Sequence, residues 1–196
     1  MDIFVSDKLW MLNMKLKNVS LFVLIIILFS FFSGCFESSE EEGEVHEFIF
    51  TDLDGVERQL LDYRGKVVLL DLWATWCGPC QFQMTELKKV YENYSRNDLE
   101  IISVDIDSRE SVELIQSFRD WFKEEVGIEL NWIFGTDDGS ISEKYMKEGA
   151  IPTLCIFDQK GRLAFNHTGI CVYKEMPLGL PEDTPVLASI IDGLID

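Results

Sequence analysis

The stretch Val67–Cys80, VVLLDLWATWCGPC, constrains this chain more than any other. Its opening run of β-branched and aliphatic residues reads as a buried strand. The strand runs into Trp76-Cys77-Gly78-Pro79-Cys80. Behind that lies QFQMTELKKVYENY, with Met84, Leu87, Val90, Tyr91 and Tyr94 at three- and four-residue spacing, the mark of a helix. A Cys-x-x-Cys pair therefore stands where a buried strand hands over to a helix N-terminus. On a first helical turn two such cysteines share one face and can open and close a disulfide without moving the fold. The helix end stabilises negative charge, so the Cys77 thiol is expected to ionise easily. Cys80, a turn deeper, is expected to resolve a mixed disulfide. Pro79 already has a helical φ and needs no N–H partner there. A zinc half-site would need a second Cys-x-x-Cys or Cys/His pair at ligand spacing, which the sequence lacks.

Asp71–Cys80, DLWATWCGPC, resembles the active site of thioredoxin-fold oxidoreductases. The fuller pattern, with its FxFxDxxG…LxDYRGK lead-in at Phe48–Lys66, is similar to the membrane-tethered, TlpA-like (ResA-type) branch of that family. The resemblance runs from about Phe48 to about Ile195. It implies an α/β thioredoxin fold: a central mixed β-sheet flanked by helices, an N-terminal β-hairpin and an inserted helix–strand unit. It also implies thiol–disulfide exchange in which Cys77 attacks a substrate disulfide and Cys80 releases the reduced product. Asp71 matches the buried aspartate of thioredoxins. It is expected beneath the dithiol, its pKa raised by desolvation, as the base for Cys80. Trp76, Gly78 and Pro79 are expected to face substrate, and Trp73 to belong to the core. Ile151-Pro152 fits the family's cis-proline, leaving the Ile151 backbone free to bind an extended substrate chain. No metal or organic cofactor is implied. The implied partners are a membrane thiol-transporting electron donor and oxidised extracytoplasmic proteins such as apocytochrome c, met by a monomer.

The Gly-Pro dipeptide between the cysteines, together with Asp71, favours a reductant over an oxidase or isomerase. Strong oxidants of this superfamily tend to carry histidine before the second cysteine. A peroxiredoxin-type peroxidase would need proline at Leu70 and threonine at Ala74. A Sco-like copper carrier would use His167 with cysteines separated by three residues, whereas these are separated by two. Cys155 and Cys171 remain, as a structural disulfide or as two buried thiols.

Leu21–Phe32, LFVLIIILFSFF, follows Lys15 and Lys17 and reads as a signal-peptide hydrophobic region. Phe32-Ser33-Gly34-Cys35 resembles a lipobox, which implies lipidation of Cys35. The alternative is an uncleaved anchor over Val19–Phe36, and Met14 is an alternative start. Both anchoring modes leave the lysines inside and the catalytic domain outside the membrane. The expected organisation is an anchor at 1–36, an acidic tether at 37–45 and a thioredoxin-like domain at 46–196. The net charge of −18 would repel nucleic acid.

Periodicity and turn residues place the remaining elements. Glu47–Phe50 and Arg58–Leu60 form the hairpin, and Leu99–Val104 a second buried strand. A helix capped by Ser108, or alternatively Ser111, runs to about Glu125, with Val112, Ile115, Phe118, Trp121 and Phe122 facing the core. Glu129–Phe134 is read as a strand, Ser140–Glu148 as a short helix, Leu154–Asp158 and Arg162–His167 as a hairpin, and Asp183–Ile195 as the last helix. Glu86 and Lys88 are expected on the solvated face of the first helix.

Overall fold

Strand β3 (Val67–Trp73) is the spine of the computed structural model, which describes residues 44–195. All seven of its residues are buried, as a strand covered on both faces requires. On one side it pairs in parallel with β4 (Leu99–Asp105), which pairs in parallel with β5 (Ile133–Thr136). On the other side β6 (Thr153–Phe157) is antiparallel to β3, and β7 (Leu163–Thr168) closes that edge. The expected hairpin, β1 (Ile49–Asp52) and β2 (Glu57–Gln59), adds to β5, giving a seven-stranded mixed sheet in the order β2-β1-β5-β4-β3-β6-β7. The thioredoxin-like architecture expected from the sequence is the one observed. The expected anchor, Cys35 and most of the tether lie outside the described residues. Among the described residues no helix is long and apolar enough to cross a membrane.

Strand alternation sorts the core into two layers. Val67, Leu69 and Trp73 join Leu99 and Ile101 under α1 (Gly78–Asn93), α2 (Val112–Trp121) and α4 (Leu187–Asp192). Val68, Leu70 and Leu72 join Phe48, Phe50, Cys155 and Phe157 under α3 (Ser140–Tyr145). Asp71 has the parity of Leu69 and Trp73, so it points into the layer that contains Cys77 and Cys80.

Several boundaries differ from the sequence reading, each for a physical reason. The helix after β4 is capped by the alternative residue: Ser111 Oγ accepts from the Leu114 N–H at 3.3 Å. Its far end falls about where expected, but the last turn, Phe122–Val126, is a π-turn that ends at Gly127 in the left-handed region. Ile115, Phe118 and Phe122 fill the core side, so Trp121 lies outside them, 45% exposed, with its ring against both phenylalanines. The strand expected from Glu129 begins only at Ile133. The Leu130 carbonyl is taken by the Arg119 guanidinium at 2.7 and 3.2 Å rather than by a neighbouring strand. The short helix stops at Tyr145, and the chain turns through Met146–Gly149, where Gly149 has φ +66°. The last helix begins at Leu187, not Asp183, because Val172 donates to the Pro185 carbonyl and its own carbonyl accepts from Leu187, which keeps 185–186 extended.

Glu86 is also not solvated. It is 2% exposed and accepts from the Tyr173 N–H at 2.8 Å, with Lys89 paired at 2.6 Å. Gln83, one turn earlier and fully buried, accepts from the Cys171 N–H at 2.7 Å. These two side chains act as a surrogate strand edge for the segment Cys171–Tyr173. Lys88 bonds the Asn131 side chain at 2.9 Å instead of facing water freely.

Candidate active site

Cys77 is the N-cap of α1, and the Cys80 N–H donates to its sulfur at 3.2 Å. Gly78 and Pro79 open the helix and are exposed, while Cys77 and Cys80 are 4% and 0% exposed and joined as a disulfide. The strand–helix junction thus presents the rim of the dithiol loop and shields both sulfurs. Trp73 is fully buried, packed on Phe118 and edge-on to Phe134. Trp76 is 62% exposed beside the disulfide. The two tryptophans divide as the sequence suggests, one for the core and one for the surface.

Leu72 pairs with Thr153, so Pro152 stands at the end of β3 from which the dithiol loop leaves. The Ile151–Pro152 peptide is cis. Its position is held from two sides: the Pro152 carbonyl accepts from Gly169 N–H at 2.8 Å, and Thr153 Oγ donates to the Ala150 carbonyl at 2.7 Å. Gly169 has φ +120°, a conformation that a side chain would strain. Pro152 is buried and Ile151 half-buried, packing against both core layers.

Asp71 is fully buried below this surface. Burial pushes its carboxyl up to about 7, against the opposing pull of a hydrogen bond that Ser103 Oγ donates to Oδ2 at 2.9 Å. Oδ1 has no hydrogen-bond partner among the described residues. A carboxyl group poised near neutrality, in the layer that holds the sulfurs, can take a proton from a thiol and return it.

Sequence reasoning missed a second support. The loop from β4 to α2 grips the strand-to-dithiol segment: Glu110 accepts from Thr75 N–H at 3.0 Å and from Thr75 Oγ at 2.6 Å. Asp107 accepts from the Trp76 indole at 2.9 Å and pairs with Arg109, which hold its carboxyl well below the usual range. Gln81 returns from α1 to the Thr75 carbonyl at 3.1 Å. Asp105, 2% exposed, is pushed up to about 8 by burial and then by the adjacent Glu110. The available signal was the run Asp105-Ile106-Asp107-Ser108-Arg109-Glu110 directly after a buried parallel strand. Carboxyl ends of neighbouring parallel strands meet at one edge of a sheet.

Cys155 and Cys171 are both buried and unbonded. They lie in opposite core layers with the sheet between them, so no direct bridge is open to them, and burial pushes each thiol up to about 12. His167 sits opposite Leu154 and stacks on Phe165.

Residues 42–166 match the AhpC/TSA family. The thiol-disulfide oxidoreductase ResA of Bacillus cereus is 28% identical over 179 residues, which cover 86% of this chain and 99% of that protein. The thioredoxin-like protein YneN of Bacillus subtilis is 31% identical over 145 residues, 74% of this chain and 81% of that protein. Among solved structures, a thiol-disulfide isomerase from Corynebacterium glutamicum superposes with a TM-score of 0.60 at 18% identity, covering 80% of this chain and 98% of that one. That last likeness is one of fold.

Proposed function

This chain belongs to the AhpC/TSA family, in the TlpA-like branch of thiol–disulfide oxidoreductases, and from that premise we propose that it reduces disulfides of extracytoplasmic proteins from a membrane-tethered position. The observation that carries the direction is Asp71, buried in the layer of the dithiol with its carboxyl near neutrality. In the reduced enzyme the Cys77 thiolate attacks one substrate sulfur and the other leaves as a thiolate. Asp71 takes the Cys80 proton, and Cys80 attacks Cys77. The substrate departs with both sulfurs reduced, two electrons richer, and the enzyme is left as the Cys77–Cys80 disulfide. Trp76, Gly78 and Pro79 form the rim that meets substrate, and the Ile151–Pro152 backbone receives its chain in extended form.

A peroxidase reading is weak on this site. Leu70 and Ala74, both fully buried, stand where that chemistry would place proline and threonine. The tether rests on the apolar block Leu21–Phe32, with either a lipidated Cys35 or an uncleaved Val19–Phe36 as its anchor, followed by the acidic stretch 37–45 and the domain from 46 onward. A membrane protein that transports thiol reducing equivalents recharges the dithiol, and apocytochrome c is a fitting acceptor. The enzyme works as a monomer and needs no metal or organic cofactor.

The deciding measurement is the reduction potential of the Cys77–Cys80 couple, equilibrated against thiol–disulfide buffers. A value of roughly −270 mV or lower is expected of a reductase, and one near about −120 mV would make this a disulfide-forming enzyme instead.

A further inference from the structure

Asp71 does not stand alone on its strand. Its β4 neighbour Ser103 is fully buried and donates to Asp71 Oδ2 at 2.9 Å. Trp132, 6% exposed, reaches the same hydroxyl from the stretch between α2 and β5, with its indole nitrogen 2.9 Å from Ser103 Oγ. We propose that Ser103 and Trp132 are positioning residues that fix which oxygen of the Asp71 carboxyl exchanges a proton with Cys80.

An indole N–H can only donate. Ser103 Oγ is therefore an acceptor toward Trp132, and its single hydrogen is left for the other hydrogen-bond partner that the described residues offer, Asp71 Oδ2. The hydroxyl cannot turn away without orphaning a buried donor, which costs about 1–3 kcal/mol. Oδ2 thus stays an acceptor whether or not the carboxyl carries a proton. The mobile proton resides on Oδ1, the buried oxygen with no partner among the described residues.

Trp132 is itself held rigid. Its ring stacks on Phe134 at 5.6 Å and packs against Tyr91 at 5.9 Å. Donation by the indole also polarises the Ser103 O–H and strengthens its bond to the carboxylate. The helix–strand unit after β4 therefore supplies a part of the reaction centre and does more than widen the sheet. The ionisable groups packed into or against this layer are Glu86, Tyr91 and Tyr94 from α1 and its C-terminal end, Arg119 from α2, Cys171 and Tyr173 from the segment before α4, and Asp105 farther along β4. Cys77 and Cys80, joined as a disulfide, do not titrate in the resting form. The β6 neighbour Leu154 carries no charge, and α4 contributes Leu187, Ala188 and Ile191.

The inference rests on Asp71 as the base for Cys80, so its test is read in the resting disulfide form, where no turnover is needed. The full chain is labelled with carboxyl-¹³C aspartate, and the Asp71 signal, assigned by its loss in Asp71→Asn, is followed against pH. Ser103→Ala is expected to raise the titration midpoint by about one pH unit or more, the worth of one hydrogen bond to a charged group. Ser103→Thr, which keeps the hydroxyl, restores the wild-type midpoint. Trp132→Phe keeps the ring and loses the donor, and it shifts the midpoint upward by less than Ser103→Ala. A Ser103→Ala midpoint equal to wild type overturns the proposal. A wild-type midpoint in Trp132→Phe removes the indole from the device, and that reading stands even where Ser103→Ala does not fold. A reductase potential with unshifted midpoints would sink this inference alone, whereas shifted midpoints with an oxidant's potential would sink only the direction of catalysis.

Discussion

At the scale of single residues, the burial that would suit Asp71 to its proposed role is also a cost to the fold. Its carboxyl is raised from 3.8 to about 7 by burial. Below about pH 4 it is protonated in both folded and unfolded chains and contributes nothing to pH dependence. Between about pH 4 and 7 the unfolded chain ionises while the folded one holds its proton, so stability falls as pH rises and then levels off. Replacing Asp71 by Asn removes that slope. In the oxidised state the variant is expected to gain stability over wild type on the order of 3 kcal/mol between pH 4 and pH 8, read by chemical denaturation. If Asp71 is the base for Cys80, as proposed, the same variant is expected to reduce substrate disulfides about 100-fold more slowly at pH 7. A pH-independent stability difference would remove Asp71 as the buried titrating group.

At the scale of elements, the polar side chains of α1 decide how the end of the chain is held. Glu86 supplies the Tyr173 N–H with its acceptor, and Gln83 does the same for Cys171. Glu86→Ala leaves a buried donor unpaired and should cost about 1–3 kcal/mol in urea unfolding. Glu86→Gln keeps an acceptor and loses mainly the pairing to the half-exposed Lys89, a change worth about 1 kcal/mol or less. Equal losses in the two variants would assign the effect to the ion pair. Between β1 and β5 the constraint is steric. A Cβ at Gly135 would lie 2.6 Å from the Thr51 carbonyl oxygen and 2.5 Å from the Phe50 ring. Gly135→Ala is expected to destabilise by about 1–3 kcal/mol. Faster amide exchange should be confined to β1, β2 and the edge of β5 that faces them, while the Cys77–Cys80 potential stays unchanged because β3, β4 and β6 keep their pairing.

At the scale of the whole molecule, the net charge of −18 sets a negative long-range field, which would steer basic partners toward the protein if it does more than keep the chain soluble. The rate with a cationic disulfide peptide should fall about tenfold or more between low salt and 0.5 M salt, while an anionic peptide of the same length gains. Equal salt slopes for the two peptides would dismiss the field as a mere solubility device. What the sequence by itself determined is local. The strand–Cys-x-x-Cys–helix junction, the parity of Asp71 with Leu69 and Trp73, and the hairpin lead-in all follow from periodicity and turn residues over a dozen positions. Only the tertiary structure decided the rest. Glu110 meets Thr75 across 35 residues, Trp132 meets Ser103 across 29, and Gln83 and Glu86 are buried by a segment 88 and 87 residues later. A hydrophobic pattern marks the face of an element that leaves water, but a polar residue on that face is buried or exposed according to whether distant chain brings it a partner. That choice is made by the closing of the sheet, which also set Cys155 and Cys171 on opposite sides of it.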